Sequence, residues 1–408
     1  MPLQATRRQF MQTIGSGIFA LSLKHRCDAM FALPLQNLTK RCIVLWMGGG
    51  PSQLETFDPK PGTATGGPTE SIATAVPGIS IAKALPEIAK RMADLSILRN
   101  LHSPEGDHER GSHFLHTGYP QVQAFPRPTL GSILSHESPA TDFPLFVSLG
   151  SRGFGPAYMG PEHAPFSVED PLQAVNQLRD LSKQRGLLKR LDEFNVGFDR
   201  DHYDANLTRR RSSIGRIERM LSTPFVAALN LDNAPTQDRE RYGDSPFGQR
   251  CLLARRLLES GVRFVEVTHD GWDTHDENFT SVARLCNEID RPWSLLIDDL
   301  KASGLWNETV VVWMGEFGRT PQINANQGRD HFPQVTPVVI GGGGIRGGQV
   351  IGQTNSTGLE IVGDKVAVPD LFATLLSSFG IDPAHQFQNE FGAVAPASDQ
   401  GKVISGLL

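Results

Sequence analysis

Residues 307–321 read NETVVVWMGEFGRTP, and this stretch carries the strongest single indication of the fold. Thr309 to Met314 is rich in β-branched and aromatic residues, which is typical of a strand buried on both faces of a parallel sheet. The apolar run ends directly in Gly-Glu-Phe-Gly-Arg, which places the acidic Glu316 at the end of a buried strand. A carboxylate in that position either caps the backbone or belongs to a functional site.

Five other apolar runs have the length and composition of strands, at residues 42–47, 95–98, 144–149, 262–268 and 335–340. Between the later runs, apolar residues recur every three or four positions over 249–260 and 279–300, which predicts two amphipathic helices. Gly261 and Gly304 follow these segments as natural C-cap residues. Strands that alternate with helices predict an α/β fold with a central, mostly parallel sheet and helices on both faces.

The segment near residues 170–245 differs in character, since it is strongly charged and contains RDLSKQRGLLKRLDEF and LTRRRSSIGRIERML. We interpret it as a helical insertion within a single α/β domain that covers residues 40–395. A basic run such as Arg209-Arg210-Arg211 usually forms a solvated helix face, so it does not by itself indicate a binding patch.

The first 32 residues have the features of an export signal. Arg7 and Arg8 precede a short apolar stretch from Ile14 to Leu23, and basic residues follow it. The paired arginines predict the twin-arginine route, with the twin-arginine export machinery as a partner, whereas the alternative is an ordinary first helix. The apolar stretch is too short to remain as an anchor. We therefore expect a mature protein without a membrane span that is exported folded and is periplasmic or secreted.

Charge and cysteine content narrow the class of protein. The chain of 408 residues has 44 acidic and 39 basic side chains and a formal net charge of −5, which becomes more negative once the basic leader is removed. An acidic exported protein is not expected to bind nucleic acid. Cys42, Cys251 and Cys286 would remain in the mature chain, and an odd number of widely spaced cysteines argues against a disulfide framework.

Acidic and imidazole side chains follow the ends of several predicted strands, where the loops of a parallel sheet converge. Carboxylates and histidines brought together from separate loops are how a divalent metal site is assembled. Asp273 and His275 lie two residues apart, which in an extended segment places both on one face. The alternative is that these are ordinary polar residues of surface loops. The candidates from these loops are Asp58, Asp273, His275, Glu316, Asp330 and His331.

A second group of histidines lies within residues 102–116, where four of the twelve histidines of the chain occur. We expect no more than one or two of them to be ligands. Two other motifs lack the required context. Gly342, Gly344 and Gly347 match a dinucleotide-binding fingerprint, but no helical pattern follows them. Gly-Pro-Ser at 50–52 lacks the second glycine of a nucleophile elbow, although a glycine nest that binds an anion remains open there.

Residues 295–318, LLIDDLKASGLWNETVVVWMGEFG, resemble the helix, turn and strand that precede a metal-binding Asp in the sulfatase and alkaline-phosphatase superfamily. LHTGYP at 115–120 resembles the segment that follows the nucleophile there. More closely, the chain resembles the exported domain-of-unknown-function family 1501 over nearly its whole length. The motifs that carry this second resemblance are RRQF, WMGGGPSQLETFDPKPG, GDHERGSHFLHTGYP, GWDTHDENF, MGEFGRTP and GRDHFP.

The superfamily resemblance implies an alkaline-phosphatase/sulfatase-like fold and a metal-dependent hydrolase of phosphate or sulfate esters. It places Glu316 on a metal-binding Asp and Phe317 on the His or Asn beside it, which implies one metal or a rearranged site. It places His108 on the nucleophile position, as a metal ligand, a phospho-accepting nucleophile or a remnant of the family's site. A formylglycine sulfatase is excluded because no cysteine stands near residue 108. Gly48–Gly50 replace a first-strand Asp, for which Asp58 or Glu55 would substitute.

We therefore expect a metal site formed by some combination of Asp58, His108, Asp273, His275, Glu316 and His331. Zinc or manganese suits this donor mixture better than calcium, which stays possible. Arg110 and Arg319 would hold a small anionic ester or a sulfated or phosphorylated polymer. Asp330 or His113 would assist proton transfer. The alternative function is a catalytically degenerate protein that binds an anionic polysaccharide or an envelope partner.

Overall fold

The computed structural model describes residues 40–122, 125–183, 220–389 and 392–408, and Lys40–Leu408 forms one compact unit. The predicted signal peptide and the middle of the predicted insertion lie outside the described residues. Within them, no helix is long and apolar enough to cross a membrane.

The larger sheet is built from strands that match the apolar runs of the sequence, with several short strands added at its edges. Its members are β1 (Arg41–Gly48), β4 (Leu95–His102), β5 (Phe146–Leu149), β6 (Phe166–Val168), β7 (Phe264–Asp270), β8 (Thr309–Met314), β11 (Thr336–Gly342), β12 (Gln349–Ile351) and β15 (Val366–Ala367). Four two-stranded ribbons join β2 (Ser71–Ala73) to β3 (Ser80–Ala82), β9 (Gly318–Arg319) to β10 (His331–Phe332), β13 (Gln353–Thr354) to β14 (Ile361–Val362), and β16 (Gln386–Gln388) to β17 (Val394–Pro396).

The α-helices of the described residues are α1 (Pro86–Lys90), α2 (His108–Thr117), α3 (Leu130–His136), α4 (Pro171–Lys183), α5 (Pro224–Leu229), α6 (Thr236–Tyr242), α7 (Pro246–Glu259), α8 (Asn278–Ala302) and α9 (Val368–Ser378). Short 3-10 turns occur at Met92–Asp94, Ala157–Met159, Pro161–His163, Leu231–Asn233 and Trp306–Glu308. The two periodic helices of the sequence are present as α7 and α8, and Gly261 and Gly304 follow them with positive φ angles of 107° and 77°.

The strand order of the main sheet is β12-β4-β11-β8-β1-β7-β5-β6, with β15 also paired to β4. Among these strands, β11 pairs antiparallel with both of its neighbours, and the other pairs are parallel. The prediction of an α/β fold with a mostly parallel central sheet is therefore confirmed. Because β7, β1 and β8 are neighbours and run in the same direction, their carboxyl ends meet at one edge.

The sheet is covered on both faces, as the unbroken apolar runs predicted. In β1, Ile43 and Leu45 belong to one apolar cluster, while Val44 and Trp46 belong to the other, because successive side chains point to opposite faces. All six residues of β8 are buried, which confirms the two-faced burial predicted for Thr309–Met314. The core therefore fixes the strands whose ends carry the acidic and imidazole side chains.

Candidate metal centre

The candidate site lies where the loops after β1, β7 and β8 meet the start of α2. His108 is the first residue of that helix, and the Asp107 side chain caps it by accepting a hydrogen bond of 3.1 Å from the backbone N–H of Arg110. The ribbon of β9 and β10 brings His331 to the same place, since His331 pairs with Arg319 across it. Residues far apart in the sequence are thus assembled at one sheet edge.

Three imidazole rings of the site each have an acceptor at Nδ1. His108 Nδ1 donates to Glu316 Oε1 at 2.7 Å, His275 Nδ1 donates to Asp330 Oδ1 at 2.9 Å, and His331 Nδ1 donates to the Gly106 carbonyl at 2.8 Å. With the ring proton held on Nδ1, each Nε2 presents a lone pair. The three rings are therefore in the tautomer that a metal-ligating histidine needs.

The three Nε2 atoms converge on the carboxylate of Asp273. Its Oδ1 lies 3.1 Å from His275 Nε2 and 3.3 Å from His331 Nε2, and its Oδ2 lies 3.5 Å from His108 Nε2. The Nε2 atoms of His275 and His331 also face each other at 3.1 Å. Lone pairs that face one another and a carboxylate repel, and a cation between them removes that repulsion.

The donor atoms of His108, Asp273 and His331 all lie within 4.8 Å of one another, which is compact enough for one ion. Imidazole nitrogens with one carboxylate suit zinc or manganese, whereas calcium prefers an all-oxygen set. The residues present therefore fit a divalent metal. Their side chains are about two-fifths exposed at His108, His275 and Asp273, so the site is open to solvent.

Glu316 is buried next to His108, and its hydrogen bonds show that it both caps the backbone and belongs to the site. Its Oε1 accepts the His108 hydrogen bond and a second one of 2.9 Å from the backbone N–H of Gly49. Its Oε2 is buried with no hydrogen-bond partner among the described residues. Glu316 thus both anchors the glycine turn and orients an imidazole. The hydrogen bond to Glu316 raises the pKa of His108 above its ordinary value.

Arg319, which was predicted to hold an anionic ester, has its guanidinium bonded within the protein. Its side chain is fully buried, and its guanidinium donates to the carbonyls of Gly49, Gly50 and Arg329 and to Asp273 Oδ1 at 2.5 Å. These bonds occupy the guanidinium within the protein, and one of them holds the Asp273 carboxylate in place. Burial alone would raise the pKa of Asp273, but the hydrogen bond and charge of Arg319 keep it below the ordinary value.

The glycine turn after β1 is needed for this close packing. A Cβ at Gly49 would clash with the backbone N of Asp273, and one at Gly50 would lie 2.7 Å from the ring of Phe317. Phe317, which the resemblance placed on a ligand position, packs its ring 4.4 Å from His331 and 5.0 Å from His108, measured between ring centroids. It forms an apolar wall beside the imidazoles.

Three of the predicted site residues, Asp58, Arg110 and His113, have their contacts away from the three converging imidazoles. Asp58 is buried with Lys60 at 2.9 Å, Arg99 at 3.3 Å and the Thr354 hydroxyl at 2.5 Å, so its charge is neutralised by other groups and it leaves the proposed ligand set. Arg110 pairs with Glu105 at 2.9 Å on the exposed surface.

His113 bonds to the Tyr119 carbonyl at 3.2 Å, and burial lowers its pKa. Of the histidines in 102–116, His116 forms a buried pair with Glu266 at 2.9 Å. Burial alone would lower the pKa of His116, but the Glu266 charge and hydrogen bond raise it. The hydrogen bonds of these two histidines are made with Tyr119, Ser112 and Glu266, away from the three converging Nε2 atoms. Within this cluster, His108 is thus the residue that the structure brings to the site.

A buried ion pair contacts Arg319 on the side away from the imidazoles, and it was not predicted from the sequence. Arg329 donates to Glu55 through Nε at 2.9 Å and Nη2 at 2.7 Å, and the two side chains are 0% and 4% exposed. The Arg329 carbonyl in turn accepts from Arg319 Nη1 at 3.1 Å. Glu55 therefore does not substitute as a ligand. The pairing could not be predicted from the sequence, because 274 positions separate the two residues.

Solved structures that are similar to the chain include the lipoteichoic acid synthase LtaP from Listeria monocytogenes, at 11% identity and a TM-score of 0.39, over 87% of this chain and 75% of that one. The C-terminal periplasmic domain of EcEptC from Escherichia coli, solved in complex with Zn, is 9% identical with a TM-score of 0.40, over 90% and 95%. A protein in the alkaline phosphatase superfamily from Vibrio parahaemolyticus is 12% identical with a TM-score of 0.35, over 84% and 66%.

No curated protein matches the chain. The family described as proteins of unknown function, DUF1501, matches residues 39–408, which is nearly the whole length. The protein is therefore a member of the DUF1501 family.

Proposed function

We propose that the protein is an exported, metal-dependent hydrolase of phosphate or sulfate esters. The observation that carries the proposal is the convergence of three Nε2 atoms on Asp273, with each ring held through its Nδ1 by Glu316, Asp330 or the Gly106 carbonyl. The resemblance of the Glu316 segment to the sulfatase and alkaline-phosphatase superfamily adds the substrate class.

A divalent cation at this position supplies Lewis acidity toward an ester oxygen and toward water. The chain's own residues prepare the site for it. Arg319 holds the Asp273 carboxylate in place. Glu316 accepts the His108 Nδ1 hydrogen bond, which leaves Nε2 for the metal, so His108 is better suited to bind a metal than to attack an ester. Phe317 excludes water from one side of the imidazoles.

Proton transfer is assigned to Asp330, which lies at the exposed edge of the site. The hydrogen bond from His275 lowers the pKa of Asp330, so its carboxylate is ionised at neutral pH. The same shift makes it a weak base, which would accept a proton only from an acidic group beside His275. His113 is less suitable, because its ring is bonded to the Tyr119 carbonyl.

Export, which is inferred from the sequence, favours the same class of substrate. The paired Arg7-Arg8 leader suits the twin-arginine route, and a periplasmic or secreted enzyme would meet small anionic esters or sulfated or phosphorylated polymers. Fusing residues 1–32 to a folded fluorescent reporter tests this part. The reporter should reach the periplasm, and replacing both arginines by lysine should stop it; equal export of both fusions would contradict the proposal.

The experiment for activity begins with metal analysis of natively purified protein, followed by aryl phosphate, phosphodiester and sulfate substrates. We expect stoichiometric zinc or manganese and turnover of at least one ester class. Asp273→Asn and His275→Gln should lose both, whereas Asp276→Asn, an exposed residue of the same loop, should keep both. Substoichiometric metal after zinc loading, or unchanged activity in the Asp273 and His275 variants, would overturn the proposal.

One observation favours the alternative of a catalytically degenerate binding protein. Both arginines predicted to hold the ester are engaged by the protein itself, Arg319 by carbonyls and Asp273 and Arg110 by Glu105. If metal-loaded protein turns over none of the esters but is retained on a sulfated polysaccharide in a saturable manner, the alternative is correct.

A further inference from the structure

The helix α2 is joined to the strand β7 by a buried pair of charged side chains that the site described above does not use. His116 lies in the last turn of α2, where its Nε2 donates to Glu266 Oε2 at 2.9 Å and its Nδ1 donates to the Ser112 carbonyl at 2.7 Å. Because both ring nitrogens face acceptors, both carry protons and the ring is a cation. His116 and Glu266 are 7% and 2% exposed, so a complete ion pair is enclosed in the core.

The surroundings of this pair are apolar. Glu266 is in register with Val44 of β1 and shares its face of the sheet with Phe264, since side chains two residues apart in a strand point the same way. The ring of His116 packs 4.1 Å from the ring of Trp46, measured between centroids. An ion pair in such a place adds little to stability compared with apolar residues of similar size. Its charges are satisfied in one arrangement only, however, so the pair defines where α2 sits on β7.

We propose that His116 and Glu266 are positioning residues, which fix α2 against β7 so that His108 reaches the Asp273 carboxylate. Both joined elements lead into the candidate metal centre. His108 is the first residue of α2, eight residues and therefore about 12 Å along the helix from His116. Asp273 lies in the loop that follows β7. A movement of α2 along its axis at His116 is therefore passed on to His108.

The position of His108 depends on two separate supports. Its Nδ1 is bonded to Glu316 Oε1 at 2.7 Å, which sets the rotation of the ring, and its Nε2 lies 3.5 Å from Asp273 Oδ2. The His116–Glu266 pair instead sets the helix that carries the ring. Groups of a functional site need to be held within about 0.5 Å, so a small movement of α2 matters. The metal part of this inference rests on the proposed function, but the position of His108 can be measured without metal.

The test replaces the pair by apolar residues in the full-length protein, as His116→Leu with Glu266→Leu. The urea midpoint of this double variant should be unchanged or higher, because replacing a buried ion pair by apolar residues is often neutral or stabilising. In metal-free crystals, His108 Nε2 should be displaced by more than about 0.5 Å from its wild-type position relative to Asp273. Zinc affinity, measured by competition with a chromophoric chelator, should fall about tenfold or more.

The matched control carries the same two substitutions at His136 and Glu137. That pair is 2.8 Å long, but its side chains are 42% and 27% exposed, and His136 ends the helix α3, which contributes no residue to the candidate metal centre. The control should keep the wild-type position of His108 and the wild-type zinc affinity.

An unchanged His108 position and zinc affinity in the double variant would overturn the inference, and a lower urea midpoint beside them would show that the pair only stabilises the fold. If the double variant does not fold, Glu266→Gln, which keeps the shape of the side chain and removes its charge, is judged by the same two measurements. Failure of the proposed function gives a different pattern, in which the wild type binds no zinc. The displacement of His108 in the metal-free crystals then decides the inference by itself.

Discussion

Breaking the Glu55–Arg329 pair by Glu55→Gln should destabilise the fold strongly. The two side chains are joined by bonds of 2.7 and 2.9 Å and have 4% and 0% exposure, so the substitution leaves a buried guanidinium without its counter-charge. Removing one partner of a buried pair costs about 3–5 kcal/mol. Arg329 keeps its bonds to the carbonyls of Thr65, Thr320 and Pro321. The substitution also turns an amide N–H toward donors that the carboxylate now accepts from, since Asn278 donates to Glu55 at 2.8 Å and Thr69 does so at 3.2 Å.

The assay is urea unfolding of metal-free protein at pH 7, followed by circular dichroism and tryptophan fluorescence. The matched control is Glu70→Gln, because the Lys83–Glu70 pair is equally short at 2.6 Å but has side chains that are 62% and 69% exposed. An exposed pair of this kind contributes about 0.2–1 kcal/mol. The free energy of unfolding should therefore fall several times more in Glu55→Gln than in the control.

The same pair allows a sharper test through a double-mutant cycle. Glu55→Gln combined with Arg329→Met removes both charges, so the double variant should be more stable than the sum of the two single effects predicts. Equal losses in Glu55→Gln and Glu70→Gln, or strictly additive effects in the cycle, would refute the view that this buried pair stabilises the fold.

Three further predictions concern the site itself. Arg319→Lys should weaken zinc binding by about 10–100-fold, because Asp273 loses the group that orients it; competition with a chromophoric chelator measures this, and unchanged affinity would contradict the positioning role. Zinc affinity should rise as the pH passes through a range above the ordinary pKa of histidine, because zinc must displace a proton from His108, whose pKa is raised by Glu316. In Glu316→Gln this rise should occur at lower pH. Isothermal titration of both proteins at several pH values measures the difference, and no movement would contradict the assignment. Asp58→Asn should lower the free energy of unfolding by about 3–5 kcal/mol yet keep one equivalent of zinc, and loss of zinc would return Asp58 to the ligand set.

Most of the fold could be predicted because its signals are local. The run from Thr309 to Met314 is the strand β8 with the same boundaries. β1 is one residue longer at each end than its predicted run, and β7 is shifted by two residues toward the C-terminus. The direction of β11 could not be predicted, because a strand buried on both faces has no periodicity that distinguishes parallel from antiparallel pairing. The short edge strands were missed for lack of any apolar run.

The site was harder to predict, because its connections span the chain. Sequence reasoning named His108, Asp273, His275 and His331, since residue type and strand ends are visible in the sequence. It assigned Arg319 to an ester because a guanidinium beside such a loop suits anions, but burial of that side chain depends on the glycine turn that packs over it.

The central claim is that a divalent metal binds at the three converging imidazoles. Anomalous diffraction at the zinc edge, from crystals of zinc-loaded protein, measures this without reference to any substrate. We expect a strong peak about 2.0–2.2 Å from Nε2 of His108 and His331 and from the Asp273 carboxylate, with His275 beside it. Crystals saturated with zinc that give no peak there, or a peak ligated by other residues, would contradict it.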